Sequence, residues 1–336
     1  MKASLKLIQQ QLPVLLANGI VPFIHGSPAL GKSAIGKQLA DKHSLKFIDL
    51  RLTELDPTDL HGLPNFDLEN NKSKFIPFDT FPLQGDELPK GYKGWLIFLD
   101  EFNSANHSVQ SAAYKLVLDR LVGQHKLHDK VCLIAAGNLD TDNAITTTMS
   151  SALISRFAHF YAELSNEEWL EWASASGIDS RITSYINFKP LDLYTFNPDS
   201  ELPYASPRTW EMVSKCIADT KVTSDSVLLL ESLLGEAVAR NFVTYCKLFK
   251  NLPTFQDILA SPDKIEISKD IGTQWAILSM VTYSIDETNQ DKCEIFLRRL
   301  PMELQIVALR EIKNRQPKVF TKLTNWKLAV SKDLEL

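Results

Sequence analysis

The chain has little of what would mark a secreted, metal-built or membrane-spanning protein. Its 336 residues hold four cysteines, Cys132, Cys216, Cys246 and Cys293, with no CxxC pair and no His/Cys cluster at zinc spacing. A disulfide framework and a zinc module are thereby excluded, and reduced thiols in a cytoplasmic protein are the expectation. No run approaches the ~20 apolar residues that cross a bilayer. Met1-Lys2-Ala3-Ser4-Leu5-Lys6 leads into an amphipathic stretch broken by Pro13, which lacks the apolar core of a signal peptide. A basic excess is also missing: 36 Lys and Arg stand against 41 Asp and Glu, a net charge of −5. That balance excludes a general nucleic-acid coat, though not a local basic loop inside a ring. Internal repeats and low-complexity tracts are absent as well.

What is present is ordinary globular material, 44% hydrophobic and 23% charged, in a length that suits two or three compact units. Residues 1–164 alternate short apolar runs with helical patterns, which points to an α/β unit with a parallel sheet and crossover helices. The expected strands are Ile20–Ile24, Lys46–Leu50, Trp95–Leu99, Val131–Ala135 and Phe157–Ala162. Most are apolar almost throughout, as strands covered on both faces are. Pro22 must sit at a strand start or a bulge. From Ser165 onward only helical patterns follow, among them Asp179–Phe188, Pro207–Asp219, Ser224–Leu248 and Lys269–Tyr283. We divide this half into a helical domain over 165–250 and a helical extension over 251–336. Trp275, Phe296, Leu297 and Trp326 recur there at core spacing.

The sharpest signal is Gly26-Ser27-Pro28-Ala29-Leu30-Gly31-Lys32-Ser33, a full G-x-x-x-x-G-K-[ST] string between an apolar strand and a helical pattern. Backbone N–H groups of such a loop cradle phosphate oxygens. Lys32 is then placed to reach the β- and γ-phosphates of ATP, and the Ser33 hydroxyl to ligate Mg²⁺.

Trp95–Leu99 runs into Asp100 and Glu101. Neighbouring side chains on a strand face opposite ways, so the two acids have different tasks available. Asp100 suits the Mg²⁺ shell and Glu101 suits polarising the attacking water. Standing alone, such a pair is often just a solvated strand end; downstream of a complete phosphate loop it reads as a Walker B motif. Val131–Gly137 ends on Asn138, which either forms a turn or holds the water or the γ-phosphate.

These pieces resemble the AAA+ superfamily and, within it, the MoxR-type ATPases. The likeness rests on the phosphate loop, Asp100-Glu101-Phe102-Asn103, Gly137-Asn138, Ala152-Leu153-Ile154-Ser155-Arg156-Phe157 and Ala205-Ser206-Pro207-Arg208, in family order over residues 26 to 208. The resemblance implies a 5-1-4-3-2 parallel sheet, a helical lid and a ring, usually a hexamer, with ATP at subunit boundaries. It implies Asn138 as sensor 1, Arg208 as sensor 2 and Arg156 as the arginine finger, with Arg120 a second candidate for the finger. Two departures stand out: Ala29 occupies a position that is commonly Gly, and Ser104 one that is often Arg. Residues 54–93, with Phe75-Ile76-Pro77-Phe78 and Phe81-Pro82-Leu83, sit where the clade carries an insertion, either an axial loop or, in our preferred reading, a cover for the sheet.

The function expected is a chaperone-like ATPase that acts on a protein partner. By resemblance, that partner is often one with a von Willebrand factor A domain. A nucleic-acid motor or loader is the alternative, and no Lys/Arg-rich loop with interleaved aromatics supports it. A non-hydrolysing nucleotide switch is disfavoured by Glu101 beside an intact Lys32.

Overall fold

A computed structural model describes residues 2–67, 69, 72–142, 147–248 and 252–333. Met1, residues 249–251 and residues 334–336, which fall within the expected domains, lie outside these. The chain divides into two compact units: Met1–Ser165 with Pro198–Ser200, and Asn166–Asn197 with Glu201–Leu336.

The first unit is built on a six-stranded sheet. Its strands are β1 (Lys2–Ser4), β2 (Val21–His25), β3 (Lys46–Arg51), β6 (Trp95–Asp100), β9 (Val131–Gly137) and β10 (Phe157–Glu163), in the order β1-β10-β2-β9-β6-β3. Every pairing between them is parallel. With β1 set aside as an edge strand, the order is the 5-1-4-3-2 arrangement expected from the resemblance. The apolar runs become strands because both faces are covered. On one face Trp95, Ile97, Leu99, Leu133 and Phe23 join Val109, Ala113 and Leu116 of α4 (His107–Leu118). On the other face Leu96, Phe98, Ile134 and Ile24 meet Ile8 and Leu12 of α1 (Leu5–Ala17) and Ile35 and Leu39 of α2 (Lys32–His43). Alternation of side chains thus feeds two cores at once.

Pro22 is the second residue of β2, and pairing to β9 starts only at Phe23, so the missing N–H falls before that ladder begins. Pro13 does not end α1, as the sequence suggested, but lies inside it. The fully buried Ile8 and Leu12 before the proline, and Leu16 after it, packed partly buried against the same core, hold the helix together and offset the one backbone bond it removes.

Residues 54–93 divide in their behaviour. Phe81 is buried in the core and Leu83 packs against it, as a covering segment would. The remainder contributes α3 (Pro57–His61) and a hairpin of β4 (Leu63–Asp67) and β5 (Lys72–Ile76), whose Phe66 is 75% exposed and whose Phe75 and Ile76 are exposed too. The expected cover therefore holds for Phe81 and Leu83 and not for Phe75 and Ile76. A second small hairpin joins β7 (Leu121–Val122) and β8 (His125–Lys126), and α5 (Ser151–Ile154) precedes β10.

The second unit is helical: α6 (Asn166–Ala175), α7 (Ser180–Phe188), α8 (Pro207–Ile217), α9 (Val227–Leu234), α10 (Glu236–Leu248), α11 (Phe255–Ala260), α12 (Ile271–Ser284), α13 (Gln290–Leu297), α14 (Met302–Arg315), α15 (Pro317–Lys322) and α16 (Thr324–Asp333). The single helix expected over Ser224–Leu248 is two helices, because Gly235 turns the chain at φ 80°. A Cβ there would lie 2.5 Å from the Pro203 carbonyl oxygen, so the break needs glycine. Within this unit α12 packs on α7 and α14 on α6. Phe296, Leu297 and Trp326 are fully buried, and Trp275 packs partly buried against them.

Among the thiols, Cys216 on α8 is exposed, whereas burial pushes Cys246 and Cys293 up to about 12. Glu311 of α14 is buried, accepting from Thr282 Oγ1 at 2.5 Å and Asn187 Nδ2 at 3.3 Å. Burial raises its pKa, so the folded chain keeps a proton that the unfolded chain has released. Stability contributed by this group is therefore full at low pH and declines as pH rises above the ordinary glutamate range. Glu311→Gln, neutral at every pH, is expected to flatten that decline; urea unfolding at pH 5 and pH 8 measures it, and identical slopes in both proteins refute it.

Candidate nucleotide site

The loop Gly26–Ser33 leaves the C-terminal end of β2 and enters α2 directly. Two neighbouring strand ends face it: β9 delivers Asn138, and β6 delivers Asp100 and Glu101. This is the edge of a parallel α/β sheet at which ligands bind.

The loop is held by its own sheet. Gly26 N–H donates to Gly137 O at 3.2 Å, and Ser27 Oγ donates to Asp142 Oδ1 at 3.1 Å. Gly31 takes φ 100° and begins α2 with no side chain capping the helix, so its first N–H groups are left to the loop. Ala29 also lies in the left-handed region, φ 60°, at a cost of about 1 kcal/mol that glycine would avoid. The departure noted in the sequence is thus a real strain, and the loop adopts the required turn despite it.

Lys32 is buried, and its ammonium donates to Gly26 O at 2.5 Å, Ser27 O at 3.0 Å and Asn138 Oδ1 at 3.2 Å. The lysine and the asparagine singled out separately in the sequence therefore touch. Asn138 is placed by Asn103, to which the sequence assigned no task. The Asn103 side chain accepts the Asn138 N–H at 3.0 Å and donates to the Asn138 carbonyl at 2.8 Å, pairing with its backbone as another strand would. Asn103 is buried, and a Cβ on Gly137 would lie 2.1 Å from its Oδ1. That clash explains why the residue before Asn138 is glycine.

Asp100 is partly buried, and burial raises its pKa, opposed by the Glu101 N–H that donates to Oδ1 at 2.9 Å and then by the charge of Lys32. A nearby cation thus favours the ionised carboxylate. Glu101 stands at φ 53°, an uncommon conformation for a glutamate, and its Oε2 accepts from Thr53 Oγ1 at 2.5 Å. Thr53 is a second residue that no sequence pattern disclosed. Asp142 is a third; its partner Ser27 is distant in the chain, and only the fold brings them together.

The three arginines differ. Arg120 turns back on its own unit, donating to Val131 O at 2.5 Å, and is thereby engaged locally. Arg156 follows α5, is exposed, and has no hydrogen-bond or ion-pair partner for its guanidinium among the described residues. Arg208 belongs to the second unit. There Ser206 caps α8 in a reciprocal box with Thr209, Pro207 takes the first turn, and Arg208 is exposed beside it. The Ala-Ser-Pro-Arg string is thus a buried cap that displays a cation at a helix start, where the helix dipole disfavours positive charge.

Among the described residues no group of three or more His, Cys, Asp or Glu forms a metal site. Ser33 and Asp100 supply hard oxygen donors, the set that suits a Mg²⁺ ion bound mostly through substrate phosphates. The residues present fit that ion.

No protein-family model and no curated protein matches the sequence. Among solved structures, a candidate ATPase of Cytophaga hutchinsonii is 18% identical, with 92% of this chain and 81% of that one covered at a TM-score of 0.37. The Holliday junction branch migration motor RuvB of Thermotoga maritima is 14% identical, with 91% and 82% covered at a TM-score of 0.35. NtrX of Brucella abortus is 10% identical, with 100% and 68% covered at a TM-score of 0.34. Likenesses this loose carry no argument about function, which must come from the site itself.

Two substitutions check the geometry. Gly137→Ala should displace Asn103 and lower stability by about 2 kcal/mol, an overpacking cost. Ala29→Gly should raise it by up to about 0.5 kcal/mol, relief of the left-handed strain less the extra freedom of unfolded glycine. Equilibrium urea unfolding reads both, and a stability change of the opposite sign in either variant contradicts the stated cause.

Proposed function

We propose that the chain is an ATP-hydrolysing AAA+ ring ATPase of MoxR type that remodels or activates a protein partner in the cytoplasm. One observation carries the reading: the buried Lys32 ammonium contacts Asn138 Oδ1 at 3.2 Å across neighbouring strand ends, beside the acids that close β6. A phosphate loop, a sensor amide and an acidic pair meeting at one sheet edge are the parts that nucleotide hydrolysis needs.

In this reading Lys32 exchanges its loop carbonyls for β- and γ-phosphate oxygens, and the N–H groups of Ser27–Ser33 surround the triphosphate. Mg²⁺, held by Ser33, Asp100 and the nucleotide's own oxygens, would supply charge neutralisation on the phosphates. Asn138 orients the attacking water. Glu101 accepts its proton once released from Thr53 Oγ1, and Thr53 thereby keeps the base turned aside until substrate is in place. Arg156, exposed after α5, offsets transition-state charge in a neighbouring subunit's site, and Arg208 reads the γ-phosphate from the helical lid. The lid is assigned to 165–250 and a further helical extension to 251–336. The ring is taken as a hexamer, and the client as a protein of the von Willebrand factor A class. Stimulation of turnover by DNA, lost steeply with salt, would replace that client with nucleic acid.

The test uses two inactive variants. Arg156→Ala and Glu101→Gln are each expected to lose about a thousand-fold in turnover while still binding Mg²⁺-ATP. Mixed together, they should recover activity, because some boundaries then combine an intact glutamate with an intact arginine from the next subunit. Turnover per subunit of the unmodified chain should also climb with protein concentration. Full activity of Arg156→Ala, or no recovery on mixing, overturns the shared-site assignment.

A further inference from the structure

Two histidines behind the phosphate loop are not used by the chemistry above. His25 is the last residue of β2, immediately before Gly26, and His159 lies on the adjacent β10. His25 Nε2 and His159 Nδ1 are 2.8 Å apart, and His159 Nε2 is 2.8 Å from the carbonyl oxygen of Ile154. A carbonyl only accepts, so the His159 proton resides on Nε2, and a neutral His159 must accept from His25 through Nδ1. The two bonds thus fix both rings. Stacking reinforces them: His25 lies against Phe23 at 4.2 Å, Tyr161 at 4.8 Å and His159 at 5.1 Å between ring centroids. His25 itself is 8% exposed, and burial holds it neutral by lowering its pKa to about 4.

What the pair joins matters more than its packing. At one end, the peptide after His25 is Gly26, whose carbonyl accepts from Lys32, the residue that must let go of it to grip a phosphate. At the other end, Ile154 is the last residue of α5, and a carbonyl in a helix's final turn lacks a partner further along the helix. His159 supplies that partner and so secures the end of α5 from which Arg156 emerges. A route of four bonded or hydrogen-bonded steps therefore runs from the lysine to Ile154, two residues before the arginine.

We propose that His159, bridging His25 and the Ile154 carbonyl, is a positioning residue that sets Arg156 according to the state of its own subunit's phosphate loop. The inference rests on the hydrolytic ring reading. Since Arg156 serves the next subunit, the bridge makes one site's occupancy felt at its neighbour, giving the ring an order of firing. The competing account is a satisfied pair of core histidines, which would affect stability alone.

Four variants of the full chain separate these: His159→Phe, His159→Gln, Arg156→Ala and the double variant Arg156→Ala with His159→Phe. His159→Phe keeps an aromatic ring in the stack and removes both hydrogen bonds; His159→Gln can still donate and accept. The probes are a fluorescent ATP analogue with Mg²⁺ for affinity, phosphate release for turnover and its Hill coefficient, and thermal unfolding for stability. His159→Phe is expected to bind the analogue within about two-fold of the unmodified chain, to lose about ten-fold in turnover, and to show a Hill coefficient near one. His159→Gln should regain most of the loss. In an Arg156→Ala background, His159→Phe should cost nothing further, since residues that act in series are non-additive. Unmodified turnover and cooperativity in His159→Phe overturn the proposal, as does an equal loss in both backgrounds or a loss that follows thermal stability without rescue by glutamine. If Arg156→Ala alone has normal turnover, the ring reading fails first and this inference with it; if Arg156→Ala is impaired and His159→Phe is not, only this inference fails.

Discussion

The side-chain amide of Asn103 lies along the backbone of Asn138, giving one hydrogen bond and taking one. Remove that pairing and the end of β9 is an ordinary strand terminus with a mobile amide on it. With it, Asn138 is aimed at Lys32, and the turn after Glu101 is fastened to the strand beside it. The phosphate loop leans on the same place, because Gly26 donates to Gly137. One buried amide thus links the acid-bearing turn, the end of β9 and the loop. Buried polar groups of this kind hold geometry tightly because leaving either partner unpaired is costly.

Strain collects around that amide. Ala29 and Glu101 both stand at positive φ, one in the loop and one at the acid that would take a proton. Residues in such conformations persist only where their surroundings overdetermine them, and Glu101 is fastened from several sides: its N–H donates to Asp100 Oδ1, its carbonyl accepts from Ser104 and Ala105, and its Oε2 accepts from Thr53. The backbone has been bent to put side chains in place, while the sheet beneath it keeps regular parallel pairing from Lys46↔Trp95 to Tyr161↔His25.

How far the sequence disclosed this depended on chain separation. The central strands were legible because each is an apolar run buried on both faces, and their ends fell within a residue or two of expectation. The β4–β5 hairpin was not, since all five residues of β5 are exposed and Lys72 and Lys74 break any apolar pattern. Pro13 misled because local propensity says stop, whereas Ile8 and Leu12 answer to a core formed by distant strands. Lys32, Asp100, Glu101 and Asn138 were visible because each belongs to a short local pattern, a glycine-bordered loop or a polar residue closing an apolar run. Thr53 and Asp142 were invisible because nothing local marks a hydroxyl or carboxylate whose partner lies far along the chain. Asn103 was seen as part of a string, but an amide that imitates a strand can be recognised only when the second strand is beside it.

Cys216 lies on α8, the helix that opens with Arg208, and its sulfur is accessible where Cys246 and Cys293 are enclosed and hard to ionise. Thiolate is the species that maleimides and nitroxide reagents attack. A spectroscopic reporter attached there would ride on the same rigid rod as the arginine, without any engineered mutation. Such a chain carries its own handle for asking whether that rod turns when ATP is added.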